Sequence, residues 1–105
     1  MTQEEKIIGL MIAGGSRSWY YPMHFMQGGL GEYFVGYEAS ARMTDICRKY
    51  PQIIEQEKKG KYRVIRLAEN FRDHLEEIPT EMAVFIRHQL LKTLSSSPEV
   101  PRIGA

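Results

Sequence analysis

The dipeptide Tyr50-Pro51 constrains this chain more than any other feature, because it must end whatever helix precedes it. Proline lacks the N–H that a helix interior needs and drives the residue before it out of the helical region. Upstream, Ala39, Met43, Ile46, Cys47 and Tyr50 recur at i, i+4, i+7, i+8 and i+11, the apolar face of a helix starting near Tyr37 or Glu38. The opposite face carries Ser40, Arg42, Asp45, Arg48 and Lys49, with Ala41 and Thr44 nearby, and its small residues permit close approach to another surface. Downstream, two extended runs, about Gln52 to Glu57 and Lys61 to Leu67, flank Lys59-Gly60, where glycine supplies the positive φ of a tight hairpin. Arg63, Ile65 and Leu67 share one strand face and Tyr62, Val64 and Arg66 the other; Ile65 and Leu67 are expected to point inward.

Charge is as unevenly spread as hydrophobicity. From Arg42 to Arg66 there are eight Lys/Arg (Arg42, Arg48, Lys49, Lys58, Lys59, Lys61, Arg63, Arg66) against three acids (Asp45, Glu55, Glu57), a balance of +5. The remaining residues hold six basic and ten acidic side chains, a balance of −4, so the net charge of +1 conceals a dipole. Its positive end is the helix and hairpin.

The other segments fit around that unit. With 105 residues and 43% hydrophobic content, the chain is sized for one small domain plus an appended element. Thr2 and Glu5 have capping-box spacing ahead of Ile7, Ile8, Met11 and Ile12, predicting a first helix from Gln3 to Ala13 stopped by Gly14-Gly15. Trp19 and Tyr20 are candidates for a small strand in the connection Ser16 to Tyr21. Pro22 suits the first turn of a second short helix carrying Met23, Phe25 and Met26 up to Gly28-Gly29. Gly28 to Gly36 reads as loop, with Tyr33-Phe34-Val35 suited to an extended conformation. After Leu67, Phe71, Leu75 and Ile78 share one side of a stretch from Glu69 to Ile78. Pro79 and Thr80, a candidate N-cap, then open a helix to Leu94 that is apolar over much of its circumference: Met82, Ala83, Val84, Phe85, Ile86, Leu90, Leu91 and Leu94. SSSPEVPRIGA has the composition of a flexible end.

The order helix, short strand, helix, helix, hairpin resembles the winged helix-turn-helix family. GYEASARMTDICRKYP followed by IIEQEKKGKYRVIRL is similar to small regulatory domains of phages and mobile elements, with an alanine- and arginine-containing recognition helix and a wing ending Ile65-Arg66-Leu67. The resemblance covers Lys6 to Leu67. It departs from the family where Gly28 to Gly36 replaces the usual turn of a few residues. The expected fold is therefore mainly α with a small β-hairpin: a winged helix-turn-helix over residues 1–67, a C-terminal helical extension over 68–94 and a tail over 95–105. The implied partner is double-stranded DNA. Tyr37, Ser40, Ala41, Arg42, Thr44 and Asp45 would meet bases or nearby phosphates, with Arg42 the best guanine reader. Arg48 and Lys49 would meet phosphates, as would Lys58, Lys59, Lys61 and Arg63 of the wing. The implied protein is a small transcriptional regulator, dimeric through its C-terminal helix and needing no cofactor.

Blander readings stand beside this one. A charged helix face and hairpin are also ordinary solvated surface, and Tyr37 reads equally as a core or capping aromatic. The C-terminal helix packs as a core element or pairs with a second copy, of which the dimer is favoured. Glu55 and Glu57 in the wing suit an alternative, a protein-binding adaptor or inhibitor of phage origin that uses the same fold as a docking surface. Enzymatic function is not expected. His24, His74 and His88 are scattered, Cys47 lies on an apolar face, and Gly28-Gly29-Leu30-Gly31 lacks both phosphate-loop spacing and a Walker lysine. No metal or small-molecule ligand is implied. A single cysteine, acids in the opening MTQEEK and no apolar run of about 18 to 20 residues point to the cytoplasm rather than to a membrane or secretion.

Overall fold

The computed structural model describes residues 1–14 and 19–96. In order these form α1 (Gln3–Gly14), a 3-10 turn at Pro22–Phe25, a second at Gly31–Tyr33, α2 (Ala39–Lys49), β1 (Ile54–Lys59), β2 (Tyr62–Leu67), a 3-10 run at Phe71–Glu77 and α3 (Thr80–Ser96). The molecule is thus mainly helical with one two-stranded antiparallel hairpin. The expected stop at Gly15 and all but the first two residues of the expected tail lie outside the described residues.

α1 starts where its capping box starts. The Thr2 N–H donates to Glu5 Oε1 at 2.9 Å and the Glu5 N–H to Thr2 Oγ1 at 3.1 Å, which satisfies two otherwise orphaned donors. Its Ile7, Ile8 and Met11 are fully buried, and they meet Met43 and Ile46 of α2, Ile53 before β1, and Ile65 and Leu67 of β2 in one cluster. Phe71, Leu75 and Ile78 enter that cluster from the 3-10 run, and Met82, Ala83 and Ile86 from α3. The core therefore runs without a break through the segments 1–67 and 68–94. α3 packs on α1 as an ordinary core element, and among its described side chains the apolar residues that stand well exposed on the outer side are Val84 and Leu91. Its first bonded carbonyl is that of Pro79, which accepts the Ala83 N–H, so Thr80 is the first helical residue and not the cap.

The hairpin pairs Ile54 with Leu67 through to Lys59 with Tyr62. Its two-residue loop is Gly60-Lys61, one step beyond the expected Lys59-Gly60. Gly60 has φ +63° while no non-glycine residue among the described residues, Lys61 included, has positive φ, the pattern of a type II′ turn with glycine at its first central position. Lys59 consequently belongs to β1. The free edge of β2 is bonded too: the Tyr20 N–H donates to the Ile65 carbonyl at 2.8 Å and the Ile65 N–H to the Tyr20 carbonyl at 3.1 Å. A single-residue bridge at Tyr20 thus stands where a small strand was expected around Trp19 and Tyr20.

Two expectations fail for identifiable reasons. The second helix is a four-residue 3-10 turn. The Tyr21 N–H donates to Nδ1 of His24 at 2.8 Å, only Phe25 is buried, and Met23 and Met26 stand exposed, so no apolar face supports a further turn. Val64, expected to face outward, is fully buried. Trp19 lies along its side of the hairpin, with the Arg66 guanidinium 4.3 Å and Lys59 Nζ 5.7 Å from the indole ring centre.

The long segment before α2 is held from three directions. Val35 and Gly36 both donate their N–H to the Phe25 carbonyl, at 2.9 and 3.2 Å. Tyr33, which ends the second 3-10 turn instead of extending, receives a 2.5 Å hydrogen bond from Gln89 Nε2 of α3. Its ring also fills the notch left by Gly9, where an added Cβ would lie 2.9 Å from Tyr33 Cε1 and 3.2 Å from Phe85 Cζ. Gly9→Ala therefore sets a helix-propensity gain of about 1 kcal/mol against overpacking of about 1–3 kcal/mol. Because Gln89 pins the Tyr33 ring, overpacking should win. Urea denaturation should show a lower midpoint for the variant, and an unchanged or higher midpoint would refute the tight notch.

Candidate nucleic-acid interface

Successive residues of α2 turn by about 100° around its axis. Ala39, Met43, Ile46 and Cys47 face the core, with Tyr50 just after the helix. Ala41 consequently looks straight out. Ser40 and Thr44 lie on the flank toward the hairpin, and Arg42 and Lys49 on the flank toward α1. Tyr37, 95% exposed, stands just before the first turn and is neither a core nor a capping aromatic.

Between the Ser40–Thr44 flank and the hairpin lies an open cleft of about 490 Å³, lined by Ser40, Thr44, Gln56, Glu57, Lys58, Lys61 and Arg63. Strand alternation sorts the hairpin cations. Lys58 and Arg63 pair across the strands and turn toward α2, whereas Lys59 lies on the opposite face over Trp19. Arg63 hydrogen-bonds Gln56 and reaches Cys47. Burial pushes the Cys47 thiol up, and the Arg63 guanidinium opposes that shift.

The eight cations of the positive segment divide into two groups. Arg42 bonds Glu38 Oε1 at 3.2 Å and pairs through Nε with Asp45 Oδ2 at 3.0 Å. Arg48 takes the other Asp45 oxygen at 3.0 Å, Lys49 takes Glu4 of α1 at 2.9 Å, and Arg66 takes Glu55 at 2.7 Å. Lys58, Lys59, Lys61 and Arg63 have no acidic partner among the described residues. The uncompensated positive charge thus sits on the hairpin, not on the helix.

The twelve residues singled out from the sequence fall into four places. Ser40, Thr44, Lys58, Lys61 and Arg63 gather at the cleft. Tyr37, Ala41, Asp45 and Arg48 lie on or beside the outer face of α2. Arg42 and Lys49 border a hollow formed with Thr2, Gln3 and Glu4, and Lys59 backs onto Trp19. Gln56 and Glu57 line the cleft without having been singled out, although the alternation of Gln56 with Lys58 was readable. Trp19 was not recognised as the support of the hairpin's other face. The i−4 and i+3 spacing of Glu38 and Asp45 about Arg42 was a readable signal of its ion pairs.

Among the described residues, no group of three His, Cys, Asp or Glu side chains is placed to hold a metal, and no helix is long and apolar enough to cross a membrane. No family model matches the chain, and no curated protein or solved structure matches it.

Glu4 anchors the C-terminal end of α2. Besides Lys49 it accepts a hydrogen bond from the Tyr50 hydroxyl at 3.3 Å. Burial, reinforced by the Glu4 carboxylate, pushes the Tyr50 phenol up to about 12. A folded-state value above the ordinary 10 means that this contribution is complete below pH 10 and is lost as pH rises through 12. The urea midpoint should fall over that window, and Tyr50→Phe should lower stability at neutral pH while flattening the alkaline fall. An equally steep fall in the variant would show that Tyr50 does not carry it.

Proposed function

We propose that the protein is a winged-helix DNA-binding protein, a small dimeric transcriptional regulator of phage or mobile-element type acting in the cytoplasm. The observation that carries this reading is the cleft between α2 and a hairpin whose four cations at and beside its tip lack acidic partners. The order Tyr20–β2–β1, with β2 in the middle and α2 immediately before the hairpin, supports the same reading. α2 would enter the major groove by its outer face while Lys58, Lys61 and Arg63 neutralise phosphates beside it. Regulation would be by occupancy: the bound protein changes promoter access, and no cofactor takes part.

Titration of duplex DNA at two salt concentrations tests the reading. Each phosphate neutralised contributes about 0.9 to the slope of log K against log salt, so Lys58→Ala and Lys61→Ala should each reduce the slope by about 1. Arg48→Ala should change it less, since Asp45 already compensates that charge. Absent or salt-insensitive binding would overturn the reading. The outward Val84 and Leu91 of α3 are the proposed dimer contact, so V84E/L91E should sediment as a monomer if the wild type is a dimer. A wild type that is itself monomeric refutes that contact.

A second reading has one observation in its favour. The exposed Met26, Phe34 and Tyr37 border a hollow of about 470 Å³ at the head of α2, a surface suited to a protein partner. Failure of the DNA titration would leave this adaptor or inhibitor role as the better account.

A further inference from the structure

Resting on the reading of α2 as the helix that enters the major groove, we propose that sequence preference comes from thymine methyl groups contacted by Thr44 and Ala41. On this proposal Arg42 positions the helix and does not read guanine.

Arg42, Asp45 and Arg48 of α2 are ion-paired with one another or with Glu38. Arg42 is shared between Glu38 and Asp45, its side chain is only 32% exposed, and its Nε is buried. Asp45, the one acid able to accept from a cytosine amino group, has one oxygen on Arg42 and the other on Arg48. Bidentate recognition of guanine by Arg42 would compete with Glu38 for Nη1 if the two terminal nitrogens were used, and with Asp45 as well if Nε were used.

Beside the Ser40 hydroxyl, the uncharged groups that remain on this part of α2 are the methyls of Thr44 and Ala41. The Thr44 hydroxyl donates to the Ser40 carbonyl, one turn back, at 3.2 Å. Its donor is spent on the helix, and the methyl is the group left to the surface. Ala41, exposed at the centre of the outer face, adds a second methyl one turn away. The thymine C5-methyl is the apolar feature of the major groove, and alanine and threonine methyls are its natural contacts. Small side chains also let the helix axis approach the base edges closely. The cations that would hold the flanking backbone lie across the cleft from Ser40 and Thr44, so the side of the helix bearing Thr44 is the side the phosphates would fix.

The test uses the full chain and a duplex selected from a random library, then the same duplex with 2′-deoxyuridine replacing thymine one position at a time. The expected result is about fourfold weaker binding at one or two positions, the value of one buried methyl each. Thr44→Ser, which keeps the hydroxyl and loses the methyl, should bind thymine and uracil equally at one of those positions. Arg42→Ala should select the same sequence as the wild type. Equal binding of every uracil-substituted duplex, or loss of a guanine preference in Arg42→Ala, overturns the proposal while leaving DNA binding intact. Absence of any selected duplex overturns the DNA-binding reading itself. The uracil substitution alters only the DNA, so its outcome does not depend on a variant folding.

Discussion

The hairpin keeps its place because β2 is hydrogen-bonded on both edges. A two-stranded ribbon alone is marginally stable in water, and β1 is mostly exposed and charged from Gln56 onward. The reciprocal bonds between Tyr20 and Ile65 make β2 the middle strand, and the buried Ile65 and Leu67 tie it to the core. Tyr20 stacks on Phe25, whose carbonyl receives the N–H groups of Val35 and Gly36 just before α2. One short bridge therefore links hairpin, turn and helix, and sets the width of the cleft between α2 and the strands. Burial pushes the Tyr20 phenol up, as expected for a ring wedged at that junction.

The same strand alternation that builds the hairpin separates its charges by role. Residues facing Trp19 are held: Arg66 is shared between the indole and Glu55, and Lys59 caps the ring's other end. Contacts of this kind contribute about 0.5–2 kcal/mol each and keep both cations against the protein. On the side facing α2, Arg63 bonds the neutral Gln56 and Lys61 Nζ lies 5.5 Å from the Tyr62 ring centre, and none of the cations there has an acidic partner among the described residues. Long-range attraction for an anion then comes from Lys58, Lys61 and Arg63. The helix contributes shape, with its own arginines neutralised along its surface.

Periodicity made α2 legible almost to the residue, because Ala39, Met43, Ile46, Cys47 and Tyr50 each match a buried position and Pro51 leaves one place for the helix to end. The capping box of α1 and the existence of the hairpin were legible for similarly local reasons. What local pattern could not supply was long-range. Val64 is buried on the hairpin face where Trp19, more than forty positions earlier in the chain, lies against Arg66 and Lys59. The apolar residues after Pro22 suggested a helix, yet Met23 and Met26 find no partner and His24 closes the turn on itself. At the site, residue types indicated where positive charge lies in the sequence. They did not indicate that Lys49 is already paired, since that depends on Glu4 coming from α1 to meet it.

The enlarged turn before α2 explains why α3 belongs to the same body. Nine residues from Gly28 to Gly36 are too many for a tight helix–helix corner, and loops of that length cost order unless side chains hold them. Here Tyr33 is the hold. It seats in the Gly9 notch of α1, beside Phe85, and is bonded by Gln89, while Lys92 reaches Glu32 at 3.2 Å. Phe85, Gln89 and Lys92 follow i, i+4 and i+7 along one side of α3, so a single helical face closes the turn. Surface pairs such as Lys92–Glu32 contribute little alone, whereas the packed ring and its part-buried bond supply most of the constraint. α3 thus does more than cover apolar surface on α1. By fixing Tyr33 it fixes the four residues that follow, and with them the angle at which Tyr37 and the first turn of α2 leave the protein.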